Sequence, residues 1–109
     1  MNHQPHPAAD ELPATDLADF AVAVELLHAL ASPVRLALVH LVDGQPSCVH
    51  DLVDALGIPQ PQVSQHLRKL RAAGLVVTRR RGREVIYQLS DDHVGHIARD
   101  AISHAREHP

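Results

Sequence analysis

The feature of this sequence that most constrains its fold is a change from helical to strand periodicity at Gly74. Before Gly74, apolar residues recur at helical spacing, and proline and glycine mark the ends of two short helices joined by a turn. After it come two runs of β-type residues, 75–78 and 84–89, separated by the basic segment 79–83. Two helices joined by a short turn and followed by a hairpin with a basic tip predict a winged helix-turn-helix.

Three further helices are predicted around this unit, in the order ααααββα, which is a mainly α fold with a small β-hairpin. The first helix has an apolar stripe formed by Leu17, Phe20, Ala21, Val24 and Leu27. Capping and breaking residues set the other limits: Ser32 and Gly44 for the second helix, Ser47 and Gly57 for the third, Pro61 and Gly74 for the fourth, and Ser90 or Asp91 for the start of the fifth. The fifth helix also has one apolar stripe, formed by Val94, Ile97, Ala98, Ala101 and Ala105.

The length of 109 residues allows one modest domain. We expect a flexible N-terminal arm over residues 1–14, which lack periodicity, and a DNA-binding and dimerisation domain over residues 15–109. A homodimer is expected, because a partner subunit can complete so small a core. Apolar runs are far shorter than the ~20 residues of a membrane span, and the first residues do not resemble a secretory signal. We therefore expect a cytoplasmic protein that does not bind membranes.

The distribution of charge points to nucleic acid, although the net charge is −3. Seven of the ten Lys and Arg residues fall between positions 68 and 83, with no acidic residue among them. A solvated surface would account for such a patch taken alone, but its place on and after the helix-turn-helix favours double-stranded operator DNA as a partner. The arginines expected to hold phosphates and the minor groove are Arg68, Arg79, Arg80, Arg81 and Arg83.

The fourth helix carries short polar side chains on its N-terminal half, as a helix that enters the major groove requires. Glutamine can bond an adenine edge in bidentate fashion, and each such base contact contributes about 1 to 3 kcal/mol of discrimination. The residues expected to read DNA are Gln60, Gln62, Ser64 and Gln65. The alternative for them is a solvated helix start. We expect His66 to pack or hydrogen-bond at the helix edge rather than to contact a base.

Ten histidines hint at metal binding, and the last helix gives that hint a geometry. His93 and His104 are eleven residues apart, which places them within about 20° of one direction but about 16 Å apart along the helix. If two such helices pack antiparallel, Asp91 and His93 of one subunit meet His104 and Glu107 of the other, twice per dimer. Two imidazoles and two carboxylates suit tetrahedral Zn(II), and Co(II) or Ni(II) can take the same ligands. The alternative is a polar helix edge beside the dimer interface.

A second cluster opens the third helix, where Cys48, His50 and Asp51 bring a thiol, an imidazole and a carboxylate together in the sequence. With His3 or His6 from the N-terminal arm, they could form another metal site. The alternative is a structural role, in which Cys48 fills apolar space and Asp51 is a favourable charge in the first helical turn. The residues alone leave both interpretations open.

Five segments and one spaced pattern carry a family resemblance. The segments are residues 29–35 (ALASPVR), 48–52 (CVHDL), 63–70 (VSQHLRKL), 73–76 (AGLV) and 82–87 (GREVIY), and the pattern is Asp91, His93, His104 and Glu107. On these residues the chain resembles the ArsR/SmtB family of metal-sensing winged-helix repressors, from about Leu17 to Glu107. The helix-turn-helix strings are typical of the family, and the last-helix spacing is typical of its zinc sensors.

The resemblance implies a function. The metal-free dimer would bind a palindromic operator and repress, and metal binding would lower the affinity for DNA and derepress a gene of metal homeostasis. The four last-helix residues match the interface ligands of the zinc sensors. Nickel and cobalt sensors of the family tend to have histidine at the position of Glu107 and extra ligands in the tails, and His108 and His3 keep that option open.

The third helix departs from the pattern of the soft-metal sensors. Those members use Cys-x-Cys, whereas here the second position is His50. With one cysteine, sensing of arsenic, cadmium or lead through three thiolates is not expected. Cys48 and Asp51 do match ligands of a second zinc site in some members, but the arm of those members supplies a cysteine that this chain lacks.

The sequence leaves two other functions open and disfavours an enzyme. A winged-helix module that binds only protein partners would leave the basic wing unexplained. A metal-independent regulator of the same fold would respond through oxidation of Cys48 or through another ligand. An enzyme is not expected, because one His-x-x-Glu on a short helix lacks the third ligand and the separate base of a metallohydrolase.

Overall fold

The computed structural model describes residues 13–109, and residues 1–12 lie outside the described part. Five helices and three strands follow one another in the order α1 (Ala18–Leu30), α2 (Pro33–Gly44), β1 (Ser47–Cys48), α3 (Val49–Leu56), α4 (Gln60–Ala72), β2 (Val76–Arg81), β3 (Glu84–Leu89) and α5 (Asp92–Glu107). The strands form one antiparallel sheet in the order β1-β3-β2. The predicted architecture, mainly helical with a β-hairpin after the fourth helix, is confirmed.

The hairpin is regular from end to end. Val76 pairs with Leu89 at its base and Arg81 with Glu84 at its tip, which leaves two residues for the turn. Gly82 has φ 62°, and glycine with positive φ at the first central position is typical of the tight turns that match strand twist. The tip therefore places its arginines at the far end of a paired ribbon.

Strand β1 corrects the prediction for Ser47. The sequence predicts that Ser47 caps the third helix. In the structure Ser47 pairs with Tyr87 across the sheet, and its hydroxyl donates to the carbonyl oxygen of Gln45 at 2.8 Å. Cys48 takes the N-cap position instead. The backbone pairing of Ser47 and Cys48 with β3 takes the place of the single capping hydrogen bond that the serine hydroxyl would have made. The sheet thus has a third strand that the sequence did not reveal.

The other helix limits follow local chemistry. The Ser32 hydroxyl accepts from the Arg35 N–H at 3.3 Å, and the Asp91 carboxylate accepts from the Val94 N–H at 3.2 Å, so both predicted caps are present. Helix α4 begins at Gln60, one residue before the predicted start. At its end Gly74 has φ 76°, and the Leu75 N–H donates to the Leu70 carbonyl, which is a Schellman motif that turns the chain into β2.

The core lies where α2, α3, α4 and the base of the hairpin meet. Its fully buried large side chains are Leu38, Val39, Leu52, Val63, Leu67, Leu70, Leu75 and Val76. Helix α5 adds Val94 and Ala98, and α1 adds Leu30. Helix α4 and the base of the wing therefore pack on one core.

Helix α1 forms as predicted, but most of its apolar stripe does not pack against its own chain. Leu17 is 80% exposed, Phe20 53% and Leu27 51%. On α5, Ile97, Ala101 and Ala105 are also exposed, so this predicted stripe is buried in its first half only. Two helices at opposite ends of the chain therefore present apolar surface to solvent.

The described residues contain no single helix long and apolar enough to cross a membrane. Helices α1 and α2 reach the required length and composition when taken together, but they meet at 91°.

Candidate nucleic-acid interface and metal centre

Helix α4 separates its polar and apolar residues cleanly. Val63, Leu67 and Leu70 are fully buried against the core. Gln60, Gln62 and Gln65 are exposed, and Ser64 is half-buried. The side chains predicted to read bases therefore lie along the solvent side of a helix whose other side is fixed, which is the arrangement that a recognition helix needs.

The wing carries cations on both of its faces. In the hairpin register Arg80 lies opposite Val85, whereas Arg79 and Arg81 belong to the other face. Arg79 is held along the ribbon, because its Nε donates to Gln88 Oε1 at 3.0 Å. Arg80, Arg81 and Arg83 are exposed around the tip. Arg68, on α4, is exposed as well, so the predicted basic residues share solvent-facing positions on two adjoining elements.

His66 is half-buried and bonded, as predicted. Arg35 of α2 donates from Nη1 to His66 Nδ1 at 3.2 Å and from Nε to the Ala29 carbonyl at 2.6 Å. Burial, together with the positive charges of Arg35 and Lys69, lowers the pKa of His66. Sequence reasoning missed the role of Arg35. The available signal was an arginine in the first turn of α2, three residues after the Ser32 cap and close to the end of α1.

Two of the four predicted metal ligands lie close together within one chain. Asp91 caps α5, and its Oδ1 lies 3.6 Å from His93 Nδ1. Both side chains are exposed, His93 to 90%. An imidazole and a carboxylate thus lie side by side at the start of α5, and both are exposed to solvent.

The other two predicted ligands lie at the other end of the same helix. His104 and Glu107 are exposed in the last turns of α5, and the rings of His104 and His108 stack with centroids 4.5 Å apart. Within residues 13–109 of one chain, no three His, Cys, Asp or Glu side chains are placed to hold a metal together. The four predicted ligands can therefore meet only across two chains.

The Cys48 cluster is arranged differently from the last-helix residues. Cys48 is buried and lies against Asp51 and Glu84, whereas His50 is exposed and pairs with Asp54 at 3.6 Å. A hydrogen bond from the Asp51 backbone lowers the pKa of the Cys48 thiol. Burial, the side-chain hydrogen bonds of Glu84 and Asp51 and the charge of Asp51 raise it, and together they outweigh the backbone bond, so the pKa lies above its usual value. A raised pKa leaves less of the reactive thiolate. His3 and His6 lie outside the described residues.

The fold and the polar surface of α4 define the class, a winged helix-turn-helix protein. Residues 32–78 match the family model described as bacterial regulatory protein, arsR family. The chain belongs to this family, and the resemblance drawn from the sequence is confirmed.

Two relatives and one solved structure show the extent of the likeness. The chain is 58% identical over 85 residues to the HTH-type transcriptional repressor SmtB of Mycobacterium tuberculosis, covering 78% of this chain and 63% of that protein. It is 43% identical over 85 residues to the HTH-type transcriptional regulator NmtR of the same organism, covering 78% and 71%. The matched region thus spans less than two thirds of the length of SmtB.

The solved structure is the homodimeric winged helix-turn-helix DNA-binding domain Mb0332 of Mycobacterium bovis, described as a possible ArsR-family transcriptional regulator. It superposes with a TM-score of 0.77 at 25% identity, covering 89% of this chain and 92% of that one.

Proposed function

We propose that the protein is a homodimeric transcriptional repressor whose metal-free form binds operator DNA and whose metal-bound form releases it. The observation that carries this proposal is the placement of an exposed imidazole and an exposed carboxylate at each end of helix α5. A pair at each end becomes a complete four-ligand site only when two α5 helices lie antiparallel, twice per dimer. We place this function in residues 15–109 and in the cytoplasm, where bacterial DNA is found.

The exposed apolar side chains of α1 and α5 support the dimer. Phe20, Val24 and Leu27 on α1 and Ile97 on α5 are each more than a third exposed in the single chain. Apolar patches of this kind are usually covered by a partner. The solved relative from M. bovis is described as homodimeric.

Helix α4 and the wing form the DNA-binding surface, and each has a different role. Gln60, Gln62, Ser64 and Gln65 of α4 contact base edges in the major groove and supply specificity. The arginines of the wing, together with Arg68, contact phosphates and the minor groove and supply salt-dependent affinity. Because α4 and the wing share one core, a twofold dimer presents both elements to successive turns of the duplex.

The donor set of α5 fits a borderline transition metal. Asp91 and His93 already lie side by side, and an N/O set of two imidazoles and two carboxylates suits Zn(II), with Co(II) and Ni(II) as substitutes. A bound ion supplies a cross-link between the two α5 helices. Cys48, His50 and Asp51 with His3 or His6 are a weaker candidate for a second site, because His50 turns to Asp54 and Cys48 is buried.

The core provides the route from α5 to DNA. Helix α2 contacts both α5 and α4, and Arg99 of α5 donates to the Asp43 carboxylate of α2 at 2.5 Å. When Asp91, His93, His104 and Glu107 are drawn together across the interface, α5 is fixed and the spacing of the two α4 helices is fixed with it. Couplings of this kind are typically about 1 to 3 kcal/mol, and DNA must weaken metal binding by the same factor.

The test uses the purified full-length protein and a duplex recovered by selection from a random-sequence library with the metal-free form. We expect a dimer by sedimentation, tight binding in chelator by fluorescence anisotropy, and release on titration with Zn(II). Co(II) and Ni(II) titrations rank the metals. A protein that is monomeric, or whose affinity for the duplex does not change with any of the three metals, contradicts the proposal.

A further inference from the structure

Arg35 joins three helices with one side chain. From its place in the first turn of α2, it donates Nε to the Ala29 carbonyl at 2.6 Å and Nη2 to the His28 carbonyl at 3.5 Å, both at the end of α1. Nη1 donates to His66 Nδ1 on α4 at 3.2 Å. The rigid, planar fork of arginine can hold several acceptors at once, which the point charge of lysine cannot.

The chemistry of this contact fixes the state of His66. Arginine has donors and no acceptor, so His66 Nδ1 must accept the bond. The imidazole is therefore neutral, with its proton on Nε2. A protonated imidazole would have N–H groups at both nitrogens, and the bond would be replaced by repulsion between two cations.

The surroundings of His66 disfavour its protonation. The charged groups that act on it are Arg35 of α2 and Lys69 of its own helix, both positive. From α1, the groups that reach the cluster are the carbonyl oxygens of His28 and Ala29, which Arg35 already occupies. The half-buried imidazole of His66 can therefore accept the hydrogen bond from Arg35 only while it is neutral.

The position of His66 on α4 gives the bond its importance. His66 lies between exposed Gln65, which we assign to base reading, and fully buried Leu67. Arg35 ties this point to the end of α1, the helix whose apolar side chains lie open for a partner subunit. A change in the bond would therefore rotate or loosen the side of α4 that carries the reading glutamines.

We propose that Arg35 is a positioning residue for DNA recognition: through neutral His66 it fixes α4 against the end of α1, and protonation of His66 releases that hold and weakens operator binding. The inference rests on the proposed function, because it concerns how the same α4 surface meets DNA. It assigns a pH response to the metal-free protein that does not involve the ligands of α5.

The experiment compares His66→Asn with His66→Ala in the metal-free full chain. Asparagine stays neutral, can place its side-chain oxygen near the position of Nδ1, and has a helix propensity similar to that of histidine. Affinity for the selected duplex is measured by anisotropy in chelator between about pH 8 and about pH 5. The acidic limit lies well below the ordinary histidine pKa of about 6.5, because the pKa of His66 is lowered. His40→Asn, at an exposed position of α2, is the matched control.

We expect His66→Asn to bind like the wild type at the alkaline end and about fivefold more tightly than the wild type at the acidic end, a factor at the lower end of linked-site couplings. His66→Ala and Arg35→Lys should both bind more weakly at the alkaline end, and combining them should add little, because each breaks the same bond. His40→Asn should follow the wild type at every pH. Equal pH profiles for the wild type and His66→Asn overturn the proposal.

A second measurement separates this proposal from the proposed function. Nitrogen-detected imidazole spectra of the folded protein show which ring nitrogen of His66 carries the proton, with no DNA present. We expect the Nε2–H form, and its loss in Arg35→Lys. A His66 with its proton on Nδ1 rules out the Arg35 bond even if the protein binds its operator. Conversely, absence of any DNA binding by the wild type removes the repressor proposal and the effect on DNA, while the spectra still decide the bond.

Discussion

Arg99 of α5 donates a hydrogen bond to the carboxylate of Asp43 in α2 at 2.5 Å, with the Asp43 side chain only 19% exposed. The pair closes over Gly95, where a Cβ would lie 2.9 Å from Asp43 Cγ and 3.0 Å from Arg99 Nη1. A glycine in the middle of α5 therefore makes room for the ion pair that holds this helix on the core. The need for this space explains why α5 contains glycine, a residue with poor helix propensity, at position 95.

Gly95→Ala should test this arrangement through its dependence on Asp43. In the wild type, displacement of the ion pair and crowding should cost about 1 to 3 kcal/mol, more than the roughly 1 kcal/mol of helix propensity gained. In an Asp43→Ala background the space is open, and the same substitution should stabilise by up to about 1 kcal/mol. Urea unfolding of the four proteins measures the change of sign. The same effect of Gly95→Ala in both backgrounds would contradict the packing argument.

Much of the fold could be predicted because its signals are local. Ser32, Asp91, Gly57 and Gly74 act on bonds within a few residues, and the structure has a helix end at each. Strand β1 could not be predicted, because two residues are too short for a strand pattern. Its partner, β3, follows almost forty positions later in the sequence. Ser47 fits either a cap or a strand, and the pairing with Tyr87 decides between them.

The parts of the site that sequence reasoning missed are the distant contacts. Arg35 and His66 are 31 residues apart, and Asp43 and Arg99 are 56 apart. No spacing rule links such positions in one sequence. The Asp91 and His93 pair could be predicted because the two residues are neighbours on one turn. The meeting of these residues with His104 and Glu107 depends on a second chain, and it stays a prediction.

Replacement of one proposed ligand should disable metal response without removing DNA binding. His104→Ala should bind the selected duplex in chelator like the wild type, and should need at least about 10- to 100-fold more Zn(II) for release, the factor that loss of even an outer-shell partner of a metal costs. His96→Ala is the matched control, since His96 is exposed on the same helix and pairs with Asp100 at 3.6 Å. Zinc-driven release that survives in His104→Ala would remove His104 from the site.

Stability should fall at acidic pH in a way that depends on His66. The pKa of His66 is lowered in the folded protein, by burial first and then by Arg35 and Lys69. The unfolded chain therefore binds the proton more readily, and the unfolding free energy falls as the pH drops through about 6.5 towards the folded pKa. His66→Asn lacks this loss. Urea unfolding of the metal-free protein at several pH values should show a smaller acidic decline for His66→Asn than for the wild type. Parallel curves would contradict the assignment.

The wing should contribute affinity rather than specificity. Arg80→Ala/Arg81→Ala removes two exposed cations from the tip without touching the core. For every phosphate that is no longer neutralised, the slope of log affinity against log salt should fall by about 0.9, and binding to unrelated duplexes should weaken as much as binding to the selected one. Arg106→Ala, at an exposed position near the end of α5, is the charge control and should leave the slope unchanged. A wing variant with an unchanged salt slope would show that the hairpin does not touch DNA.

By contrast, Gln65→Ala should keep the salt slope and lose about 1 to 3 kcal/mol of discrimination between duplexes, because a base contact carries sequence information and a phosphate contact does not.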